Sequence, residues 1–338
     1  MSFAQSLLEW FRENGRDLPW RQTKDPYAIW LSEIILQQTQ VKQGWDYWER
    51  FMHRWPTVEA LAAATEDEVL REWQGLGYYS RARNLHYAAK QIVALGHFPN
   101  TLDEIKRLKG VGDYTAAAIG SIAFGLPAAV VDGNVYRVLA RHFGIDTPIN
   151  TTEGKKTFAA LAQSLLPSSE HLEISPSSFL LSPSSEYNQA IMDFGAIQCT
   201  PQAPRCLLCP LAESCEALHT GRVAELPVKQ KTLMVRERHL IYIYVRCRGY
   251  VAIHRRGAGD IWQGLWEPWL VDEAPAGAVL LRQHVKHVLT HRILYADFYL
   301  WEVDERPELL PDYIWIKESE LDDYAKPRLI EILLESVV

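Results

Sequence analysis

Four of the five cysteines in this 338-residue chain fall within seventeen residues, at Cys199, Cys206, Cys209 and Cys215. Four thiolates at such short spacing can ligate either a structural zinc ion or a 4Fe-4S cluster, because both accept four cysteines. Zinc sites usually pair two C-x2-C segments, whereas here only Cys206 and Cys209 form one. The spacing therefore predicts a metal-binding loop, and Cys247, alone in an apolar strand pattern, is predicted to be a core thiol.

Two acidic residues, Glu33 and Asp132, have sequence surroundings that suit a catalytic carboxyl group. Glu33 lies in a helical stretch that is apolar nearly all round, so we expect it to be desolvated and to hold its proton tightly. Asp132 stands between Val131 and Gly133 after a long uncharged run. A surface glutamate and a simple helix N-cap are the plain alternatives for these two residues.

A glycine pair offers a site for phosphate. The segment Leu108-Lys-Gly-Val-Gly-Asp-Tyr-Thr-Ala places Gly110 and Gly112 between two predicted helices. Such a pair permits a tight hairpin whose backbone N–H groups open the next helix and can bind phosphate, although a plain turn is the alternative. The net charge of −7 argues against gripping a polyanion by bulk positive charge, so any contact with nucleic acid must be local.

Together these motifs resemble the endonuclease III and MutY family of DNA repair glycosylases. The C-x6-C-x2-C-x5-C loop, the hairpin and the segment Val130–Val138 (VVDGNVYRV) follow the family's order, and Leu31–Val41 (LSEIILQQTQV) is similar to the adenine-specific MutY branch. The resemblance extends from about Arg16 to Cys215. It implies a 4Fe-4S cluster on the four clustered cysteines and Gly110 and Gly112 as a DNA-binding helix-hairpin-helix.

The resemblance also implies roles for single residues. Glu33 would protonate adenine and Asp132 would be the essential carboxylate, with Tyr114 and Asn134 orienting them. Residues implied for the adenine pocket are Trp20, Arg21 and Gln189, and those implied to probe the opposing base or fill the emptied stack are Gln38, Leu76 and Tyr78. Core packing is the alternative for the tryptophan and tyrosine positions.

The residue at position 114 separates two chemistries in this family. Bifunctional relatives carry a lysine two residues after the second hairpin glycine, and its amine forms a Schiff base. Tyr114 stands there in this chain, so the resemblance implies a monofunctional glycosylase. A bifunctional endonuclease III-like glycosylase/lyase and a non-catalytic mismatch-binding protein are the alternatives. Tyr114 weighs against the first, and the presence of both carboxylates weighs against the second.

The elements that must position these residues are mainly helical up to about residue 225. Ser2 and Gly15 are placed to begin and end a first helix, and Thr65 and Thr101 each precede a glutamate at capping-box spacing. From about residue 238 the period changes to two, with an Arg248-Gly249 turn that predicts a hairpin. We therefore expect a mainly α, two-lobed helix-hairpin-helix glycosylase domain (1–220), a linker (221–236) and an α+β domain (237–338). A serine-rich segment, 168–185, is predicted to be an inserted surface loop.

The C-terminal domain resembles the Nudix-like recognition domain of the MutY family, through Ile261–Glu267 (IWQGLWE). The clustered glutamates of active Nudix hydrolases are missing, so no pyrophosphatase activity is expected. The segment Leu289-Thr290-His291 matches a Phe-Ser-His loop that reads 8-oxoguanine in the family. Threonine keeps the hydroxyl of serine, whereas leucine cannot stack as phenylalanine does. The resemblance implies duplex DNA with 8-oxoguanine:adenine or guanine:adenine mispairs as the partner, with Thr290 and His291 reading the lesion.

Composition indicates a globular protein. Hydrophobic residues make up 48% and charged residues 23%, and charged side chains interrupt the N-terminal apolar residues, so no signal peptide is expected. The longest uncharged run, Tyr114–Val131, contains Pro127 and is predicted to be a buried helix followed by a turn rather than a membrane span. Charge is uneven, with a surplus of +6 over 199–256 and −8 over 297–338. We expect a monomer in the bacterial cytosol.

Overall fold

The structure, a computed structural model, describes residues 2–167, 182–230 and 235–337. It divides into two compact units. The first comprises Met1–Trp48, Thr57–Glu59 and Tyr87–Lys231, and the second comprises Glu49–Pro56, Ala60–His86 and Thr232–Val338. We call them the helical unit and the sheet unit.

The described chain is helical up to residue 219. Its α-helices are α1 (Phe3–Asn14), α2 (Pro26–Leu36), α3 (Val41–Arg54), α4 (Val58–Ala63), α5 (Glu66–Glu72), α6 (Ser80–Leu95), α7 (Leu102–Arg107), α8 (Asp113–Phe124), α9 (Gly133–His142), α10 (Thr152–Leu165), α11 (Pro183–Asp193) and α12 (Glu216–His219). A π-helix, Phe194–Gln198, continues α11. The predicted mainly α fold is confirmed for this part of the chain.

The predicted helix boundaries are found. Ser2 caps α1 in a full capping box, and the helix ends at Gly15, where a Cβ would lie 2.7 Å from the Phe11 carbonyl oxygen. Thr65 forms the predicted capping box with Glu68. Thr101 accepts the Glu104 N–H as predicted, but the Glu104 carboxylate accepts from the Thr101 hydroxyl instead of from its backbone.

The core of the helical unit is built around α8. This helix is apolar on nearly every side, and its residues from Thr115 to Ser121 are all buried, so it packs between other helices rather than at the surface. Gly120 allows a close approach, because a Cβ there would lie 2.9 Å from Leu102. The helix ends at Gly125, whose φ of 67° is the left-handed C-cap conformation.

The sheet unit contains one mixed sheet of seven strands within its described residues. They are β1 (Arg236–Cys247), β2 (Tyr250–Arg255), β3 (Trp266–Glu267), β4 (Trp269–Val271), β5 (Val279–Val288), β6 (Arg292–Glu302) and β7 (Tyr313–Lys317). The order is β3-β2-β1-β6-β5, with β4 paired to β1 and β7 to β2. Strands β1 and β6 run parallel, and the other pairs are antiparallel. The predicted β1–β2 hairpin is confirmed, with Arg248 and Gly249 both at positive φ.

Helix α13 (Arg328–Leu334) covers one face of this sheet. Its buried residues Leu329, Ile330 and Leu333 join Tyr242 and Phe298 in one apolar cluster. The α+β class predicted for the C-terminal part is confirmed.

Residues 60–86 belong to the sheet unit, although the sequence places them in the predicted domain 1–220. Arg83 donates to the Gln263 carbonyl oxygen at 2.6 Å, and Arg255 donates to Glu66 at 3.0 Å. The Lys326 N–H donates to the Gln74 side chain at 3.1 Å. These polar contacts tie α5 and the start of α6 to the C-terminal strands, and hydrophobic periodicity does not reveal them.

Two predicted segment limits need correction. Ser182 is the N-cap of α11 and Ser185 is fully buried, so the predicted serine loop 168–185 ends before residue 182. Serine suits both a loop and a helix N-cap, and composition does not separate the two. Residues 168–181 lie outside the described residues. In the predicted linker 221–236, Leu226 is buried and the Val228 carbonyl accepts from Ile149 at 3.0 Å, so this stretch packs in the helical unit.

Candidate active site

A cavity of about 730 Å³ lies in the helical unit. Its lining includes eight of the residues that the sequence singles out, namely Trp20, Arg21, Glu33, Gln38, Tyr114, Asp132, Asn134 and Gln189. They come from the segment before α2, from α2 and its C-terminal end, and from α8, α9 and α11. The fold therefore gathers residues up to 169 positions apart into one concave site.

Glu33 is buried on α2, as its apolar surroundings predict, and is 8% exposed. The Tyr114 hydroxyl donates to its Oε2 at 2.9 Å. The pKa of Glu33 is raised to about 7, chiefly by burial and also by the charge of Asp132, while the Tyr114 hydrogen bond and Arg21 oppose the shift. A carboxyl with this pKa can act as a proton donor near neutral pH.

Asp132 is the N-cap of α9. Its Oδ1 accepts from the Val135 N–H at 2.8 Å and its Oδ2 from Asn134 Nδ2 at 2.9 Å. Burial raises the pKa of Asp132, and these hydrogen bonds together with the charge of Arg137 oppose that rise. Asp132 is therefore both a helix cap and a carboxylate that lines the cavity.

Arg137, which the sequence did not single out, joins this carboxylate to the cysteine loop. It donates from Nη2 to Asn134 Oδ1 at 2.8 Å and from Nε to the Cys199 carbonyl at 2.7 Å. It also donates to the Gly195 carbonyl in the π-helix at 2.6 Å. A Cβ at Gly195 would lie 2.6 Å from the Asn134 Cβ, so only glycine fits against this asparagine. One chain of hydrogen bonds therefore runs from Cys199 to Asp132.

The residues implied for the adenine pocket are held by partners that sequence reasoning missed. Arg21 donates to both carboxylate oxygens of the buried Asp193, at 2.8 and 2.9 Å. Gln189 donates to Ser185 at 3.0 Å, while its buried Oε1 has no hydrogen-bond partner within the described residues. Trp20 packs edge-on against other indoles and is largely buried. Ser185 lies in the predicted serine loop 168–185, so composition does not reveal this contact.

The glycine hairpin lies between α7 and α8, as predicted. Gly110 has a φ of 81°, and the Val111 N–H closes the turn on Leu108 at 3.1 Å. Gly112 is the N-cap of α8 and presents no side chain there. The first N–H groups of a helix have no partner within the helix, so this end can accept an anion. Gln91 braces the hairpin, because its Oε1 accepts from the Lys109 N–H at 2.8 Å.

The four clustered cysteines line a small separate cavity of the helical unit. All are free thiols, and burial raises the pKa of Cys209 to about 11. Arg141 donates to Cys199 Sγ at 3.5 Å and to the Thr200 carbonyl at 2.7 Å, which fastens this loop to α9. Over the described ranges, no three His, Cys, Asp or Glu side chains form a group that could hold a metal ion. Cys247 is buried in β1, as predicted.

Two segments of the chain match known protein families. Residues 31–165 match the HhH-GPD superfamily of base excision DNA repair proteins, and residues 241–336 match the NUDIX domain. The adenine DNA glycosylase of Buchnera aphidicola from Baizongia pistaciae is 34% identical over 268 residues, which cover 78% of this chain and 72% of that protein. The chain belongs to the adenine DNA glycosylase family.

The human relative of this adenine DNA glycosylase family member is longer than the present chain. The human adenine DNA glycosylase is 41% identical over 227 residues, which are 64% of this chain but 39% of the human protein. Among solved structures, a thermostable thymine-DNA glycosylase is 30% identical with a TM-score of 0.56, over 64% of this chain and 95% of that one. An endonuclease III–DNA complex is 22% identical with a TM-score of 0.50, over 65% and 99% of the two chains, and shows the shared fold.

Four of the predicted site residues of this family member lie in the sheet unit. Thr290 and His291 are exposed in the turn between β5 and β6, which we call the tip loop (Leu289–His291). The hydroxyls of Tyr78 and Thr290 are hydrogen-bonded to each other. Tyr78 is half-exposed at a φ of 46°, whereas Leu76 is buried.

Among the described helices, none has the length and apolar character needed to cross a membrane.

Proposed function

We propose that this chain hydrolyses the N-glycosidic bond of adenine mispaired with 8-oxoguanine or guanine in duplex DNA. The observation that carries the proposal is the pair Glu33 and Asp132 in one cavity, with the pKa of Glu33 raised to about 7. Glycosidic bonds are cleaved by two carboxyl groups with different roles, one that gives a proton and one that supplies negative charge. Membership of the adenine DNA glycosylase family supports adenine as the base removed.

The target base must leave the duplex before these groups can reach it. Enzymes that act on a base extrude it into a pocket, and the cost of unstacking is offset by contacts made there. In this proposal Trp20 and Met192 supply apolar wall, and Gln189 Oε1, which has no partner among the described residues, accepts from the exocyclic amine of adenine. The hairpin at Gly110 and Gly112 binds a backbone phosphate through α8 N–H groups.

The chemical step then follows from the two environments. Glu33 transfers its proton to the adenine ring, so the base departs as a neutral group, while the Tyr114 hydroxyl steadies the resulting carboxylate at Oε2. Asp132, oriented by Asn134, stabilises the positive charge that develops on the sugar or captures its anomeric carbon. Water completes the hydrolysis. Tyr114 offers no amine for a Schiff base, which supports a monofunctional enzyme.

We propose that Cys199, Cys206, Cys209 and Cys215 hold a 4Fe-4S cluster. Such a cluster takes four cysteine thiolates, each bound to a different iron, and the proposal is supported by the four cysteines that line one common cavity. Arg141 would donate a hydrogen bond to one sulfur. The cluster would hold the loop 199–215 in place against α9.

Lesion preference is assigned to Thr290 and His291, with Gln38, Leu76 and Tyr78 as probes of the opposing base. 8-Oxoguanine differs from guanine by an N7 hydrogen and a C8 oxygen, which the hydroxyl and imidazole can pair with. We propose further that the protein acts on DNA as a monomer in the cytosol.

The deciding experiment is incubation with a duplex that carries 8-oxoguanine opposite adenine, followed by alkali. Cleavage only after alkali is expected, because a monofunctional enzyme leaves an intact abasic strand. Glu33→Gln is the matched control and should leave the strand uncut. Binding without release of adenine would instead indicate a mismatch-binding protein, and borohydride trapping of the unmodified chain would indicate a lyase.

A further inference from the structure

Asp260 is the centre of a charged cluster that none of the proposed chemistry uses. It follows β2 and accepts from three arginines, Arg238 at 2.5 Å, Arg256 at 2.6 Å and Arg292 at 3.1 Å. Its Oδ1 also accepts from the Ile261 N–H at 2.7 Å. The three arginines come from β1, from the residue after β2 and from the start of β6, so one carboxylate ties three parts of the sheet unit together.

The cluster adjoins the tip loop directly. Arg292 is the residue after His291, and its carbonyl accepts from the Leu289 N–H at 2.8 Å. On the other side, the Arg236 N–H donates to the His291 carbonyl at 3.2 Å. Leu289 packs against the apolar cluster beneath the sheet. The two ends of the loop are therefore fixed, while Thr290 and His291 remain exposed.

Loss of the Asp260 charge would act mainly on the loop. Arg256 would still be held by the buried Glu267, at 2.6 Å and 2.8 Å, but Arg238 and Arg292 would lose their shared acceptor. Three guanidinium groups around a neutral side chain repel one another. An isolated surface ion pair contributes little to stability, whereas this carboxylate is shared by three arginines, and Arg238 and Arg292 form no other ion pair among the described residues.

We propose that Asp260 is a positioning residue that sets the tip loop for lesion recognition. It acts through Arg292 on the backbone that carries Thr290 and His291, and it does not itself contact DNA. The inference rests on the proposed function, which assigns lesion reading to this loop. Asp260 is thereby a determinant of the preference for 8-oxoguanine:adenine over guanine:adenine rather than of base excision.

The test compares Asp260→Asn with Glu318→Gln in the full chain. Glu318 is the matched control, since it accepts from Tyr244 and Arg246 at the other end of β1. Single-turnover excision is measured on both mispairs. We expect Asp260→Asn to lower the ratio of the two rates about five- to tenfold, as for one or two lost orienting hydrogen bonds, with the guanine:adenine rate unchanged. Glu318→Gln should keep the ratio. Combined with Thr290→Ala, Asp260→Asn should add little further loss, because both act on one loop.

Hydrogen exchange over residues 286–294 gives a readout independent of activity. Exchange should become faster in Asp260→Asn and stay unchanged in Glu318→Gln. If Asp260→Asn does not fold, Arg292→Gln takes its place. It removes one of the three arginines and should also lower the rate ratio and speed exchange, but to a smaller extent. Unchanged ratio and exchange in a folded variant, or equal losses in the control, would overturn the role of Asp260. If the unmodified chain does not prefer 8-oxoguanine:adenine over guanine:adenine, the proposed lesion reading by the tip loop is wrong. Hydrogen exchange over residues 286–294 then decides by itself whether Asp260 orders the tip loop.

Discussion

The cavity of the helical unit and the tip loop of the sheet unit hold their functional groups in opposite ways. In the cavity, Glu33 and Asp132 are enclosed, and each is hydrogen-bonded to a side chain that is itself buried or fixed by a helix. In the tip loop, Thr290 and His291 project from a turn, and only the backbone at the two ends is fixed. In the proposed mechanism, excision would therefore depend on a few enclosed groups, whereas selectivity would depend on exposed side chains whose replacement costs the fold less stability.

The largest effect is expected from the two carboxylates. Glu33→Gln keeps the shape of the side chain but has no proton to give, and Asp132→Asn removes the negative charge. Each change should slow adenine excision by at least about 100-fold, the scale of general acid-base catalysis, with binding of the mismatched duplex retained. Single-turnover excision and a binding titration measure both properties. A variant that excises near the parent rate would remove its residue from the proposed chemistry.

A smaller loss is expected at Arg137, which links Asn134 to the Cys199 carbonyl. Arg137→Lys keeps the charge but cannot reach three acceptors at once, so we expect excision to slow about tenfold from the loss of one or two hydrogen bonds. The visible absorption of the purified protein would report whether the proposed cluster is still bound. Retained absorption with slower excision would assign the effect to Asn134. Unchanged excision would show that Asn134 needs no such support.

Sequence reasoning reached this cavity in two ways: Glu33 and Asp132 are unusual for their surroundings, whereas the other predicted lining residues followed only from the family resemblance. A glutamate in an apolar helix and an aspartate after an uncharged run both contradict the default pattern, and the structure places them in one site. It missed Arg137 and Asp193, whose partners Gly195 and Arg16 are 58 and 177 positions away. It also missed Ser185, because the serine-rich composition predicts a loop and not the helix in which Ser185 accepts from Gln189 four residues later. It also missed the division of the chain, because the polar contacts of residues 60–86 with the C-terminal strands have no periodic signature.

The raised pKa of Glu33 predicts a pH dependence that the tip loop does not share. This pKa is raised to about 7, mainly by burial, and in the proposed mechanism the protonated form is the active one, so excision should be fastest below pH 7 and fall about tenfold for each pH unit above it. The Tyr114 hydrogen bond lowers the pKa, so Tyr114→Phe should move the fall to higher pH. Excision rates measured at saturating enzyme between about pH 5.5 and about pH 9 test this prediction. A flat profile would mean that another group gives the proton.

The smallest effect is expected at Thr290, and point substitution tests it better than truncation. Removing the C-terminal strands would also strip α5 and the start of α6 of their partners, so a truncated chain would confuse recognition with folding. Thr290→Ala removes one hydroxyl, worth about 1 kcal/mol net, and should lower the preference for 8-oxoguanine:adenine only a few-fold. Thr290→Ser restores the hydroxyl and should restore the preference, while both variants should excise adenine opposite guanine at the parent rate. If Thr290→Ala and His291→Ala together leave the preference intact, lesion reading must lie with Gln38 and Tyr78. The tip loop would then not contact the lesion, in agreement with Leu289, which the resemblance aligns with the phenylalanine of the Phe-Ser-His loop.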